Sequence, residues 1–272
     1  MTKVLFALLV LGVLGGIFGA LLSYASRIFH VETDPRQAAV RDCLAGANCG
    51  GCGYPGCDGY AAAVAAGEAP VGKCVAGGKE SAEKIAAIMG VSAEAEEKKV
   101  AFVPCSGGED HAKLRYRYTG PKDCRAAMLF GEKSDKLCSF ACIGLGNCVE
   151  ACNFDAIHVE KGVAKVNRVR CVGCGSCAQV CPKGIIRLIS ASQKVAPACS
   201  SCDKGAVVLK QCDVGCIGCM KCQRECPSEA IAVTDNLARV DPEKCTGCGH
   251  CAEICPRHII TLWKDTAERS SR

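Results

Sequence analysis

The sequence predicts an α+β protein with one N-terminal transmembrane helix, a small four-cysteine domain and two tandem modules of βαβ type. Three observations lead to this prediction. The chain begins with a long uncharged apolar stretch, cysteine makes up 26 of its 272 residues, and a block of cysteines recurs 74 positions further along. The expected boundaries are 1–30 for the anchor, 31–92 for the four-cysteine domain, 93–135 for a linker and junction segment, 136–190 for the first module, 191–211 for a second junction segment, 212–265 for the second module and 266–272 for a tail.

The anchor is Val4–Leu22, a stretch of 19 residues without a charged side chain. This length is sufficient to cross the hydrocarbon core of a bilayer, and it exceeds the usual apolar core of a signal peptide. Secretion would also bring the later cysteines into an oxidising compartment, so we predict a retained helix. Arg27, Arg36 and Arg41 follow the stretch and only Lys3 precedes it. This asymmetry predicts a single-pass protein of the cell membrane with the remainder on the cytoplasmic side.

The abundance and spacing of cysteine indicate bound metal. A cysteine content near one tenth is typical of disulfide scaffolds and of metal proteins. Most cysteines here are separated by only two or three residues, which is too close for them to pair well as bridges. Lys and Arg exceed Asp and Glu by 33 to 28. Because thiolate-bound iron clusters add negative charge, this excess gives no reason to expect a nucleic-acid partner.

Two copies of one cysteine pattern lie in tandem between residues 138 and 255. Ala156–Val166 matches Ala230–Val240, and each alternates as a β-hairpin does. Leu145 is the one break in the pattern, because it stands where the second copy has Cys219. The aligned pairs are Cys138 with Cys212, Cys142 with Cys216, Cys148 with Cys222, Cys152 with Cys226, Cys171 with Cys245, Cys174 with Cys248, Cys177 with Cys251, and Cys181 with Cys255.

The spacing Cys-x2-Cys-x2-Cys-x3-Cys-Pro predicts [4Fe–4S] clusters in modules that resemble bacterial ferredoxins. Three cysteines of such a run bind one cluster and the fourth binds its neighbour. Structural zinc sites, the alternative, usually use two separated Cys-x2-Cys pairs. Cross-ligation therefore predicts three sets of ligands: Cys216, Cys219, Cys222 with Cys255; Cys245, Cys248, Cys251 with Cys226; and Cys171, Cys174, Cys177 with Cys152.

Leu145 leaves the remaining site of the first copy, formed by Cys142, Cys148 and Cys181, without a fourth ligand. Two outcomes are open. Either a three-iron cluster forms and Cys138 is unused, or Cys138 supplies the missing ligand. The second is favoured, because the loss of a ligand alone does not explain the wider spacing of the first copy. The predicted set is Cys138, Cys142, Cys148 and Cys181.

A further set precedes the repeat. Cys49, Cys52 and Cys57 lie on a glycine-rich loop and Cys74 follows a predicted helix over Tyr60–Gly67. Glycines allow backbone amides to approach cluster sulfur atoms closely. A second helix is predicted over Lys79–Met89. The sequence therefore predicts five [4Fe–4S] clusters in all.

Six cysteines are left over. Four of them lie in the segments that precede the two modules and form a tentative sixth cluster at the junction, with ordinary buried thiols as the alternative. Cys202 could replace one member of this set, Cys199, and Cys43 is expected to be unligated. The tentative set is Cys105, Cys124, Cys199 and Cys212.

The segment ANCGGCGYPGC (Ala47–Cys57), with Cys74 behind an apolar helix, resembles the signature domain of the B subunits of Rnf electron-transport complexes. The two tandem modules resemble the longer members of that family. The resemblance implies an electron-relay subunit of an ion-translocating oxidoreductase. The sequence shows no phosphate-binding loop, flavin fingerprint or nucleophile–base pair, so we expect no bond-making active site of its own. It also implies soluble reduced ferredoxin as donor, membrane and flavin-carrying subunits as partners, sodium or protons as the translocated ion, and NAD or a membrane quinone analogue as final acceptor. The alternative among relatives is a reducing system for a redox-sensing transcription factor.

Overall fold

We describe the fold from a computed structural model, which covers residues 2–28, 34–93, 97–129 and 134–263. The predicted tail, 266–272, lies outside the described residues. The helices are α1 (Thr2–Ile28), α2 (Pro35–Asp42), α3 (Gly56–Ala65), α4 (Gly78–Met89), α5 (Cys124–Leu129), α6 (Asn147–Glu150), α7 (Ser176–Val180), α8 (Gly205–Gln211), α9 (Lys221–Arg224) and α10 (His250–Ile254). The strands are β1 (Lys99–Phe102), β2 (Ile157–Glu160), β3 (Val163–Val166), β4 (Arg187–Ser190), β5 (Val195–Pro197), β6 (Ile231–Thr234), β7 (Leu237–Val240) and β8 (Ile260–Leu262).

Helix α1 contains the segment predicted as the anchor. Its stretch Lys3–Ile28 is long and apolar enough to cross a membrane, and none of it is buried against the rest of the chain. Large side chains such as Phe6 and Leu22 are about 70% exposed, at 71% and 70%. A continuous apolar surface of this kind is unfavourable in water. The helix therefore needs a bilayer or an apolar partner.

Helices α2, α3 and α4 enclose the four-cysteine domain. Helix α4 lies where the sequence predicts it, whereas α3 begins four residues earlier than predicted, at Gly56, so Cys57 lies in its first turn and not on the loop. Tyr60 is fully buried at the centre of their core, together with Val40 and Ile85. The Tyr60 hydroxyl donates a hydrogen bond to Pro70 O at 2.6 Å and accepts one from Lys73 N at 3.2 Å. A buried hydroxyl needs such partners, so this pair of bonds fixes the loop after α3.

Four elements recur at the sequence interval of the repeat. Helices α6 and α7 and strands β2 and β3 reappear as α9, α10, β6 and β7, with both bounds shifted by 74. Strand β2 pairs antiparallel with β3, and β6 pairs in the same way with β7. The two hairpins predicted from the alternating sequence pattern are confirmed.

A strand that precedes each copy completes it. In β1, Ala101 lies opposite Leu188 of β4, and in β5, Val195 lies opposite Leu262 of β8. Leu188 and Leu262 are 74 apart, whereas Ala101 and Val195 are 94 apart. The first copy therefore has 20 more residues than the second between its preceding strand and its first loop cysteine.

The extra residues form a loop that contains α5. An antiparallel bridge between Leu114 and Lys136 closes this loop, and Arg115 N donates to Asp135 O at 2.7 Å beside it. We call residues 115–135 the α5 loop. Residues 130–133 within it lie outside the described part. Because the bridge returns the chain to its starting point, the α5 loop adds Cys124 to the first copy without shifting the rest of it.

Candidate metal centres

Groups of four cysteines surround five cavities of 320 to 390 Å³. Within the described ranges, no three Cys, His, Asp or Glu side chains converge closely enough to hold a single metal ion. Four thiols that surround a space without converging on one point fit a polynuclear cluster rather than one ion. The cavities are site 1 (Cys49, Cys52, Cys57, Cys74), site 2 (Cys152, Cys171, Cys174, Cys177), site 3 (Cys124, Cys142, Cys148, Cys181), the junction site (Cys105, Cys138, Cys199, Cys212) and site 4 (Cys216, Cys219, Cys222, Cys255).

Site 1 brings together the four cysteines that the sequence assigns to the N-terminal domain. Asn48 adopts a positive φ of 46°, and its side-chain oxygen accepts a hydrogen bond from Cys57 N at 2.8 Å. Gly77 N donates to Cys74 Sγ at 3.4 Å. The loop is thus fixed from both ends, and a backbone N–H stabilises negative charge on one of its sulfur atoms.

Sites 2 and 4 each combine one cysteine run with a single cysteine from the other run of the same copy. Cys152 joins the run that begins at Cys171, and Cys255 joins the run that begins at Cys216. Both groupings are those that the sequence predicts. Burial, together with the neighbouring cysteines, raises the pKa of Cys222 to about 11. Thiolates are therefore disfavoured there unless a cation or cluster compensates the negative charge.

One more group of four cysteines, which lines none of these five cavities, is called site 5 and consists of Cys226, Cys245, Cys248 and Cys251. Burial raises the pKa of Cys251 to about 11, and the three other cysteines of this group, as its electrostatic neighbours, contribute to that rise. Cys251 belongs to the core of the second copy, and Cys226 and Cys245 pack against that core. The structure therefore brings together the four cysteines of the predicted set.

At site 3, the structure groups the cysteines differently from the sequence prediction. Cys124, not Cys138, lines the cavity with the three other cysteines. Leu145, which replaces the missing cysteine of the run, packs against a small buried cluster that consists of Cys124, Ala127 and Ile143. Cys124 therefore lies next to the position where the repeat lost a thiol.

Hydrogen bonds hold Cys124 in this place. Its backbone N–H donates to Asn147 Oδ1 at 2.6 Å, and Asn147 Nδ2 donates to Asp123 Oδ2 at 2.7 Å. The Ala126 backbone N–H and Asn147 both lower the pKa of Asp123 by bonding to its carboxylate. Since Asn147 lies between Leu145 and Cys148 in the altered run, the α5 loop is fixed directly to that run.

The junction site also differs from the prediction, because it contains Cys138 in place of Cys124. The two cysteines have exchanged the places that the sequence assigned to them. The signal that could have revealed the exchange is the 20-residue surplus of the first copy, which contains Cys124. Cys202 and Cys43 line none of the five cavities.

Lys136 is buried between site 3 and the junction site, with only 3% of its surface exposed. Its ammonium group donates to Gly107 O and Cys142 O, both at 2.9 Å, and to Gly162 O at 2.7 Å. Gly107 lines the junction site and Cys142 lines site 3. A buried cation bound by neutral carbonyls needs compensating negative charge nearby, and thiolate-bound clusters in these two sites would supply it.

Short connections join successive sites. A methyl group added to Gly51 would lie 2.9 Å from Cys174 Cα, so the loop of site 1 lies directly on that of site 2. Cys148 and Cys152, about one helical turn apart, line sites 3 and 2. Cys222 and Cys226 are also about one helical turn apart, and they belong to sites 4 and 5. The junction site contacts site 3 through the bond from Cys142 N to Cys105 Sγ and site 4 through the bond from Cys216 N to Cys199 Sγ, so the series is continuous.

Two family models match parts of the chain that carry these cysteines. The FeS family model, an Fe-S cluster domain, matches residues 44–76. The 4Fe-4S dicluster domain model matches twice, at residues 140–185 and 215–264. The chain therefore carries [4Fe–4S] cluster domains.

Curated relatives are similar to this chain over most of its length. The B subunit of an Na(+)-translocating ferredoxin:NAD(+) oxidoreductase complex from Acetobacterium woodii is 44% identical over 237 residues, or 87% of this chain and 71% of the relative. The B subunit of an ion-translocating oxidoreductase complex from Methanosarcina acetivorans is 44% identical over 87% of this chain and 90% of the relative. The B subunit of a proton-translocating ferredoxin:NAD(+) oxidoreductase complex from Clostridium ljungdahlii is 43% identical over 90% of this chain and 87% of the relative. The chain thus belongs to the family of B subunits of Rnf-type ion-translocating oxidoreductase complexes.

Proposed function

We propose that this chain is the electron-relay subunit of a membrane-bound, ion-translocating oxidoreductase. It accepts electrons from reduced ferredoxin and delivers them to partner subunits, whose final acceptor is NAD or a membrane quinone analogue. The observation that carries this proposal is the continuous series of cysteine sites from site 5 to site 1. Relatives named as ferredoxin:NAD(+) oxidoreductase subunits support ferredoxin as the donor.

The cysteines of sites 1 to 5 are the proposed ligands, with Cys124 rather than Cys138 at site 3. A bound [4Fe–4S] cluster supplies reversible one-electron transfer. The chain contributes thiolates, walls that exclude water and backbone donors to sulfur. Two such donors are Ala101 N to Cys171 Sγ at 3.3 Å and Ala156 N to Cys152 Sγ at 3.4 Å. Such N–H groups stabilise added negative charge and so favour the reduced state.

The proposed architecture is an anchor, a four-cysteine domain and two tandem ferredoxin-like modules. Helix α1 would hold the chain at the membrane, and the excess of arginine after it supports a cytoplasmic location for the metal sites. Site 1 is nearest to α1 in the chain, so we assign delivery to it. Ferredoxin then docks near the second module, and membrane and flavin-carrying subunits receive the electrons.

The test is anaerobic purification of the complex from its native membrane, followed by mixing with reduced ferredoxin. We expect rapid bleaching of the visible iron–sulfur absorbance. The variant Cys219→Ala, which alters site 4, should slow this bleaching, whereas Cys202→Ala should not. Colourless protein without iron and acid-labile sulfide, or iron-loaded protein that ferredoxin leaves oxidised, would refute the proposal.

A further inference from the structure

The junction site has the dimensions of the sites that the cysteine runs define. Its cavity measures about 380 Å³, against about 360 Å³ for site 4 and about 390 Å³ for site 3. Cys105 and Cys212 are buried, with 7% and 8% of their surfaces exposed. Among the described residues, no three metal-binding side chains converge on one point, so the four thiols around this space are arranged for a group of several atoms and not for direct bonds to one ion.

Both copies of the repeat contribute equally to the junction site. Cys138 and Cys212 are 74 apart, as in the repeat, and Cys105 and Cys199 are 94 apart, as are the strands that precede them. Cys142 N donates to Cys105 Sγ at 3.5 Å, and Cys216 N donates to Cys199 Sγ at 3.4 Å. The donors themselves are 74 apart. The site is therefore built twice over by the same local structure, which incidental burial of four thiols does not explain.

The same two hydrogen bonds connect the junction site to its neighbours. Cys142 lines site 3 and Cys216 lines site 4, so the backbone of each neighbouring site contacts a junction sulfur. A methyl group on Gly107 would meet Cys212 Sγ at 3.4 Å, which indicates how closely the backbone follows this space. The junction site therefore lies between the two copies and touches both.

We propose that Cys105, Cys138, Cys199 and Cys212 bind a further [4Fe–4S] cluster that links the two ferredoxin-like modules. This inference rests on the proposed function, since a link is needed only if electrons cross from one module to the other. The buried Lys136 ammonium, which donates to a carbonyl at the edge of this site, provides part of the compensating charge.

The experiment is a count of iron, acid-labile sulfide and zinc in the anaerobically purified full-length chain. Six clusters require about 24 iron atoms per chain and five require about 20. The double variant Cys105→Ala/Cys199→Ala should lose about four iron atoms and about four sulfides, together with one component of the reduced EPR spectrum. The matched control is Cys43→Ala/Cys202→Ala, which removes two cysteines outside the cavities and should keep the full count.

A wild-type count of about 20 that the double variant leaves unchanged would overturn the proposal, as would about one zinc per chain that the double variant loses. If the double variant fails to fold and loses all its iron, the wild-type count and Mössbauer spectrum decide. The two proposals fail separately. A count of about 24 without a response to ferredoxin refutes the proposed function, whereas a count of about 20 with a normal response refutes the junction cluster.

Discussion

The replacement Cys124→Ala tests the unexpected grouping at site 3. The hydrogen bond that fixes residue 124 to Asn147 uses the backbone N–H, and Asp123 is untouched, so alanine keeps the α5 loop in place. The replacement therefore removes little besides the Cys124 thiolate. The packing cost of removing one buried sulfur is about 1 kcal/mol, which is small against the stability of a folded domain.

In the proposed cluster at site 3, this replacement leaves one of the four iron atoms without a protein ligand. We expect Cys124→Ala to lose about one iron atom of about 24 per chain and to show the EPR signal of an oxidised three-iron cluster. Leu145→Cys should reverse both effects, because residue 145 packs against the cluster that contains residue 124 and corresponds in the repeat to Cys219. The measurements are the iron count and EPR of the single and double variants after anaerobic purification.

The pattern of rescue decides between the two groupings. Cys138→Ala should also lose iron, but from the junction site, and Leu145→Cys should not restore it. If Leu145→Cys restores the cluster in Cys138→Ala and fails to do so in Cys124→Ala, then Cys138 is the ligand at site 3 and our reasoning from the cavity linings is wrong.

Three further replacements test other parts of the structure. Lys136→Met leaves three carbonyls unsatisfied, so we expect it to cost about 3–5 kcal/mol in a thermal melt and to lower a cluster midpoint potential in an EPR-monitored titration; an unchanged potential would exclude its charge-compensating role. Tyr60→Phe should cost about 1–3 kcal/mol. Burial raises the pKa of Tyr60 from 10.0 to about 12, so above pH 10.0 the unfolded chain ionises this tyrosine while the folded chain keeps it protonated. The free energy of unfolding should therefore fall between pH 10.0 and about 12, and the variant should lack this alkaline loss in pH-dependent melts. Gly144→Ala should release iron from site 3 more readily than Gly218→Ala releases it from site 4. The methyl group added at residue 144 would overlap the Gly162 carbonyl, whereas the one added at residue 218 would lie 3.1 Å from the Asn236 carbonyl oxygen. Equal iron retention by the two variants would contradict this reasoning.

Local sequence patterns were sufficient for the regular parts of the fold. The alternation in Ala156–Val166 and Ala230–Val240 predicted both hairpins, because side chains in a strand alternate between its two faces. The cysteine runs likewise predicted the groupings at sites 2, 4 and 5, since three ligands on one tight loop have little freedom to lie elsewhere.

The grouping at site 3 could not be predicted in this way. Cys138 lies only four residues before Cys142, and proximity in sequence favoured it as the missing ligand. Cys124 instead lines the site, because the bridge between Leu114 and Lys136 folds the α5 loop back onto the altered run. A contact made by closing a long loop depends on pairing distant in sequence, which spacing within the run does not reveal.

The α5 loop also makes the two copies non-interchangeable. The second run carries its cysteines locally, whereas the run that contains Leu145 has Cys124 beside it only because the bridge between Leu114 and Lys136 closes the loop. A chimera that carries the second copy twice should therefore keep a complete set of thiols without the α5 loop, whereas one that carries the first run without this loop should lack one thiol.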